Sequence, residues 1–329
     1  MNFYCADCGQ QYPLAGLDYQ CRCGGLFNLM KAPGETVRTR VSLGEMPTPV
    51  LRRKLLHTEV YLKLDYLQPT GSFKDRGAFT LINKLQELGI REVVEDSSGN
   101  AGAAIAGYCA AAGIKCSIYL PADTSAGKIK QAAAYKANIV KVPGTRDDTA
   151  RAILQAAQTA YYASHVYNPL FFEGTKSLAY EIWEQIGVPD YIFVPAGNGT
   201  MLLGAYIGFR ELGRLPRIIA VQSRNCAPVV SRFHGHPAED FAPTVAEGIA
   251  IREPRRLHEM IAAVKASNGD FIAVGDEQVL AAQARLGAMG IYVEPTAGVT
   301  VAGMLQYFAT GHDKDLKIVV PLTGSGLKK

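Results

Sequence analysis

From residue 60 onward, short β-branched or apolar runs alternate with longer stretches whose apolar positions recur every three or four residues. Runs of the first kind suit buried strands, and stretches of the second kind suit amphipathic helices. The pattern predicts strands at 60–64, 93–95, 115–120, 138–142, 191–195, 217–222, 271–274 and 317–321. It predicts helices at 78–88, 125–135, 146–159, 175–185, 201–212, 276–286 and 297–308, with another, rich in small residues, opening near Ala101. Strand–helix alternation of this kind implies an α/β protein with parallel sheets and helices on both faces. In such folds ligands bind where the carboxyl end of a strand runs into a helix N-terminus.

Composition narrows the class. At 329 residues the chain exceeds the size at which one core keeps growing, so two domains are expected. Hydrophobic residues make up 48% and charged residues 19%, an ordinary globular balance. The net charge of +4 is spread out, with dense basic tracts only at Arg52-Arg53-Lys54 and Arg255-Arg256, so nucleic acid is not favoured as a partner. The first residues lack a basic stretch followed by an apolar one, and the run 101–114 is too short to span a bilayer. A cytoplasmic protein without a membrane partner is therefore expected.

The 7 cysteines are unevenly placed. Cys109, Cys116 and Cys226 lie in apolar contexts and suit buried fillers. Four others form Cys5-Ala6-Asp7-Cys8-Gly9 and Cys21-Arg22-Cys23-Gly24-Gly25. Two such pairs can bring the thiolates of Cys5, Cys8, Cys21 and Cys23 around one tetrahedral, structural Zn²⁺. A small ribbon that holds no metal is the alternative, since the second pair is C-x-C.

Lys74 stands in Gln68-Pro69-Thr70-Gly71-Ser72-Phe73-Lys74-Asp75-Arg76-Gly77, beside aromatic Phe73 and at the start of a helix. Desolvation and the positive potential of a helix start lower an amine's pKa, and such an amine can form a Schiff base with a carbonyl cofactor. A solvated surface lysine is the plainer reading of this residue alone.

Three loops add to it. In Asp96-Ser97-Ser98-Gly99-Asn100-Ala101-Gly102, hydroxyls, an amide and helix-start N–H groups make a receptor for a carboxylate, beyond what an N-cap requires. In Pro195-Ala196-Gly197-Asn198-Gly199-Thr200, glycines let successive N–H groups face a phosphate. A dinucleotide fold would place an acid at the end of the next strand, but that strand ends in Gln222-Ser223-Arg224. With no P-loop sequence either, a bound monophosphate fits best. In Pro321-Leu322-Thr323-Gly324-Ser325-Gly326, a hydroxyl could hydrogen-bond a heterocycle nitrogen.

Together these residues resemble the fold type II pyridoxal-phosphate enzymes, and among them the threonine synthases. The resemblance runs along the whole chain and rests most on Pro69 to Gly77, with support from Glu294-Pro295-Thr296-Ala297, the closing Thr323 to Lys328 and the Cys ribbon. It implies a tryptophan synthase β-like architecture of two three-layer αβα domains with a zinc-ribbon-like segment at residues 1–30. The large cofactor-binding domain would comprise 31–82 and 168–329, the small inserted domain 83–167. By the same resemblance Lys74 would carry pyridoxal 5′-phosphate beside Phe73, and Asn100 would meet the 3′-oxygen. Gly197, Asn198, Gly199 and Thr200 would cradle the phosphate, and Thr323 would meet the ring nitrogen, leaving it largely unprotonated and favouring elimination over transamination. Ser97, Ser98, Gly99, Asn100 and Ala101 would bind the substrate carboxylate. A homodimer acting on a small amino acid is implied.

The implied reaction converts O-phosphohomoserine and water to threonine and phosphate. One departure bears on substrate. Where the threonine synthases carry Arg after an Asn-Pro, this chain reads Asn168-Pro169-Leu170-Phe171-Phe172. A substrate phosphate would then turn to other cations, such as Lys63, Lys128, Arg146 or Lys176. A serine or threonine deaminase, or another β-replacement enzyme, is the alternative within the same chemistry. A non-catalytic zinc-ribbon binding protein is the alternative of another class.

Overall fold

A computed structural model describes residues 1–237, 240–311 and 315–328, apart from the side chain of Arg146. The chain forms two compact units: Met1–Glu45 with Lys74–Gly174, and Met46–Phe73 with Thr175–Lys328. The divisions between these units fall after residues 45, 73 and 174.

The first unit holds a parallel sheet in the order Asn138–Val142, Lys115–Pro121, Glu92–Glu95, Tyr161–Tyr162. The helix Lys74–Glu87 belongs to it because its apolar stripe, Ala78, Leu81, Ile82 and Leu85, is fully buried with Ile105 and Tyr108 of the helix Asn100–Ala112. Each buried Leu or Ile among them contributes about 1.5–3 kcal/mol. A small antiparallel sheet of Asn2–Cys5, Gln11–Tyr12 and Phe27–Met30 shares this core through Phe3, Tyr12 and Phe27. The ribbon therefore packs inside the first unit.

The second unit holds a sheet in the order Asp270–Val274, Arg217–Ser223, Tyr191–Pro195, Ile318–Pro321, Thr58–Lys63, Val50–Leu55. All neighbours are parallel except the last pair, an antiparallel hairpin. Its inner strands are almost wholly buried, as the apolar runs at 191–195 and 318–321 require. Among the described residues no helix is long and apolar enough to cross a membrane.

Candidate active site

In the first unit, Lys74 is the first residue of its helix and half-buried. Its Nζ lies 5.7 Å from the centre of the Phe171 ring, within reach of a cation–π attraction. Phe171 is fully buried on the short helix Pro169–Thr175. That helix docks flush against the start of the lysine helix because two glycines leave room. A Cβ at Gly77 would stand 2.2 Å from the Phe171 ring, and one at Gly174 would stand 2.1 Å from the Arg76 carbonyl oxygen. Asn168 starts the docking helix: its Oδ1 accepts from the Leu170 N–H at 3.0 Å, and its amide donates to the Tyr161 hydroxyl at 2.9 Å.

The loop from Asp96 leaves the strand Glu92–Glu95 and enters the helix Asn100–Ala112. Ser97, Ser98 and Asn100 are half-exposed, Gly99 is exposed and Ala101 is buried. The Gly99 N–H donates to Ser97 Oγ at 3.3 Å. Gly102 is required here, since a Cβ would fall 1.9 Å from the Ser97 carbonyl oxygen. The opening turn of a helix leaves its first amides without intrahelical acceptors, which suits a carboxylate.

Four sulfurs also come together in this unit. The Sγ atoms of Cys5, Cys8, Cys21 and Cys23 all lie within 4.8 Å of one another, as a tetrahedral metal site needs. Tyr12 Oη lies 3.2 Å from Cys21 Sγ, and this hydrogen bond is the chief cause that lowers the Cys21 thiol pKa to about 6. Gly25 is fixed by the cluster, because a Cβ there would stand 2.5 Å from Cys5 Sγ. Cys109, Cys116 and Cys226 are buried.

In the second unit, the loop from Pro195 turns through Gly199, whose φ of 80° is left-handed, into the helix Thr200–Glu211. Gly197 and Gly199 are both pressed against protein: added Cβ atoms would stand 3.1 Å from Ile249 Cα and 2.6 Å from Met260 Sδ. Gly197, Gly199 and Thr200 are buried and Asn198 is half-exposed. Gln222, where a dinucleotide fold would hold an acid, is fully buried and braces the loop. Its amide donates to the Ala196 carbonyl at 2.9 Å, and its oxygen accepts from Val229 and Val230.

Thr323 lies in the loop after Ile318–Pro321 and is fully buried. Its carbonyl accepts from the Phe73 N–H at 2.9 Å, and Ser72 bridges to Gly324, so the segment before Lys74 is laid along this loop. The Thr323 hydroxyl donates to Glu294 Oε1 at 3.3 Å, a residue of the Glu294–Ala297 segment that supported the resemblance, though the pairing itself was not foreseen. Sequence reasoning also passed over Ser72, whose hydroxyl is buried with no hydrogen-bond partner among the described residues. A buried hydroxyl left in that state is a polar group awaiting a bound one.

Two of the four cations weighed for a substrate phosphate, Lys63 and Lys176, are engaged elsewhere. Lys63 is fully buried and donates to Thr48 O at 2.6 Å, Glu181 at 2.6 Å and Gln185 at 2.9 Å, which uses all three of its protons. Lys176 is paired with Glu211 at 2.9 Å, and Lys128 is exposed on the helix Ala126–Ala134. The side chain of Arg146 lies outside the described residues.

Each unit thus carries groups of a kind that suits pyridoxal phosphate: an amine at a helix start in the first, and a glycine turn before a helix, a buried hydroxyl loop and the Ser72 hydroxyl in the second. Residues 41–324 match the family described as pyridoxal-phosphate dependent enzyme. The chain belongs to that family. Among curated relatives, a threonine synthase of Methanocaldococcus jannaschii is 33% identical over 98% of this chain and 92% of its own length. A threonine synthase of Methanosarcina acetivorans is 34% identical over 98% and 91%. The solved serine racemase of Dictyostelium discoideum superposes with a TM-score of 0.73 at 26% identity, covering 85% of this chain and 92% of that one. This pyridoxal-phosphate enzyme thus has the α/β fold that its strand–helix alternation suggested.

Proposed function

We propose that this pyridoxal-phosphate enzyme is a carbon–oxygen lyase of the threonine synthase type, converting O-phosphohomoserine and water to threonine and phosphate. The observation that carries the reading is the similarity to threonine synthases over nearly the whole chain. When bound, the cofactor supplies the electron sink that makes a substrate Cα proton removable. Lys74 would hold the cofactor, and its amine would serve as the base for the substrate Cα proton. Ser97 to Ala101 would receive the substrate carboxylate, and Asn100 would also hydrogen-bond the cofactor's 3′-oxygen. The Gly197–Thr200 turn would hold the cofactor phosphate through helix-start amides. Phe73 and Thr323 would be the cofactor's neighbours on the ring side, and the Ser72 hydroxyl would supply a further hydrogen bond.

Cys5, Cys8, Cys21 and Cys23 hold a structural zinc, supported by the closeness of their sulfurs. The protein works as a cytoplasmic homodimer on this reading.

A second reading is favoured by Phe171. A buried ring facing the Lys74 amine gives a phosphate dianion no partner where a guanidinium would, and suits a serine or threonine deaminase or a β-replacement enzyme. Purified holoenzyme incubated separately with O-phosphohomoserine, serine and threonine decides between them. Threonine plus phosphate from the first substrate supports the synthase, and keto acid plus ammonia from the others supports the deaminase. Turnover of none of them, with a visible band that borohydride bleaches, would refute both substrate assignments while leaving the cofactor in place.

A further inference from the structure

A buried acid–imidazole pair lies at the root of the substrate loop, and the chemistry above does not use it. Glu95 is the last residue of its strand, one residue before Asp96, and its side chain is fully buried. His165 Nδ1 donates to Glu95 Oε1 at 2.8 Å, with the imidazole 15% exposed. A carboxylate so deeply buried is costly unless paired and hydrogen-bonded. The His165 ring also stands edge-on to Phe171, with centroids 6.0 Å apart and planes at 65°. Phe171 in turn presents its ring to Lys74 Nζ at 5.7 Å.

The backbone around His165 is tightly set. Ser164, fully buried, accepts from the Val166 and Tyr167 N–H groups at 3.2 Å each, and the Ala163 N–H donates to Val94 O at 2.9 Å. Three residues before His165, the Tyr162 hydroxyl donates to Asp96 Oδ1 at 2.7 Å. The segment 162–165 therefore grips both residues that lead into Ser97–Ala101, and its next turn carries Phe171.

We infer that His165 is a positioning residue with two separable duties: through Glu95 it fixes the root of the Ser97–Ala101 loop, and through Phe171 it fixes the aromatic wall beside the Lys74 amine. The inference deepens the reading of Lys74 and the Ser97–Ala101 loop given above and rests on it. A loop held by buried charge-assisted hydrogen bonds keeps its carboxylate receptor preformed, which acts on substrate binding. A ring held against the amine acts on the electronic surroundings of the cofactor's attachment point.

Two substitutions separate the duties. His165→Asn keeps a donor at the Nδ1 position for Glu95 and removes the ring; His165→Phe keeps a ring against Phe171 and removes the donor. For His165→Asn the cofactor absorption maximum shifts and kcat falls, while KM for the turned-over amino acid stays within about threefold of wild type. For His165→Phe the absorption maximum is unchanged and KM rises on the order of tenfold. Should His165→Phe not fold, Glu95→Met carries the same test by removing the acceptor, with KM raised and the band unmoved. Variants matching wild type in both KM and band position, whatever their melting temperature, overturn the inference alone. A wild-type holoenzyme with no borohydride-sensitive band overturns the Lys74 reading, and this inference with it.

Discussion

Replacing Gly77 by alanine is a one-carbon test of how the lysine helix is docked. In an unobstructed helix the change would stabilise by about 1 kcal/mol, because glycine is the weaker helix former. Here the added Cβ would stand 2.2 Å from two ring carbons of Phe171, where ordinary carbon contacts lie at roughly 3.5–4.0 Å. Phe171 is fully buried, so the ring cannot swing into solvent. Overpacking of this kind costs roughly 1–3 kcal/mol, and the larger figure applies because the ring sits between two fixed helices. The expected net effect is a loss of about 2 kcal/mol, read as a lower urea midpoint at unchanged slope. Phe171→Ala removes the colliding Cγ, Cδ1 and Cε1 atoms, so in the double variant most of the Gly77→Ala loss should vanish, a coupling of at least ~1 kcal/mol. Gly77→Ala as stable as wild type, or a cycle additive within about 0.5 kcal/mol, would refute this account of the docking.

Ser72→Ala should raise apoprotein stability by about 1 kcal/mol, since it deletes a buried hydroxyl without a partner, and should shrink the thermal shift produced by added pyridoxal phosphate. An undiminished shift would show that the hydroxyl does not meet the cofactor. Lys63→Met should cost about 3–5 kcal/mol in urea unfolding by stranding Glu181, and Glu181→Gln only about 1–2 kcal/mol, because an amide still accepts a hydrogen bond. Equal losses would argue against the Lys63 ammonium as the centre of that network. Atomic emission on protein purified without chelator should find zinc, and Cys21→Ser should reduce it to background and lower the melting temperature. Zinc-free wild-type protein with an unchanged melting temperature would leave the ribbon a metal-free fold.

The inner strand 191–195 was legible residue for residue because burial on both faces writes it as an apolar run, and the edge strand 138–142 was legible through its β-branched Ile139, Val140 and Val142. Val50–Leu55 was not legible, since its middle is Arg52-Arg53-Lys54, exposed on an edge strand that faces water and discourages further pairing. Pro169–Thr175 was hidden too, as seven residues bearing Pro and Gly carry no periodic signal. The lysine helix was placed from residue 78, whereas it begins at Lys74, because its charged first turn is buried despite its polarity. Side-chain partnerships across long separations left no trace at all. Lys63 read as a cation open to a phosphate, yet Glu181 and Gln185, over a hundred residues away, surround it. Glu95 and His165 meet across 70 residues with no motif to announce them.

The shared core of ribbon and lysine-bearing unit has a consequence for anyone shortening this protein. Phe3, Tyr12 and Phe27 are walls of the same apolar interior as Leu81 and Tyr108, so cutting away the N-terminal thirty or so residues would open that interior to water. A truncated enzyme that lost activity would therefore say nothing about chemistry in the ribbon. The segment is better regarded as a missing side of the box in which the helix behind Lys74 is kept straight.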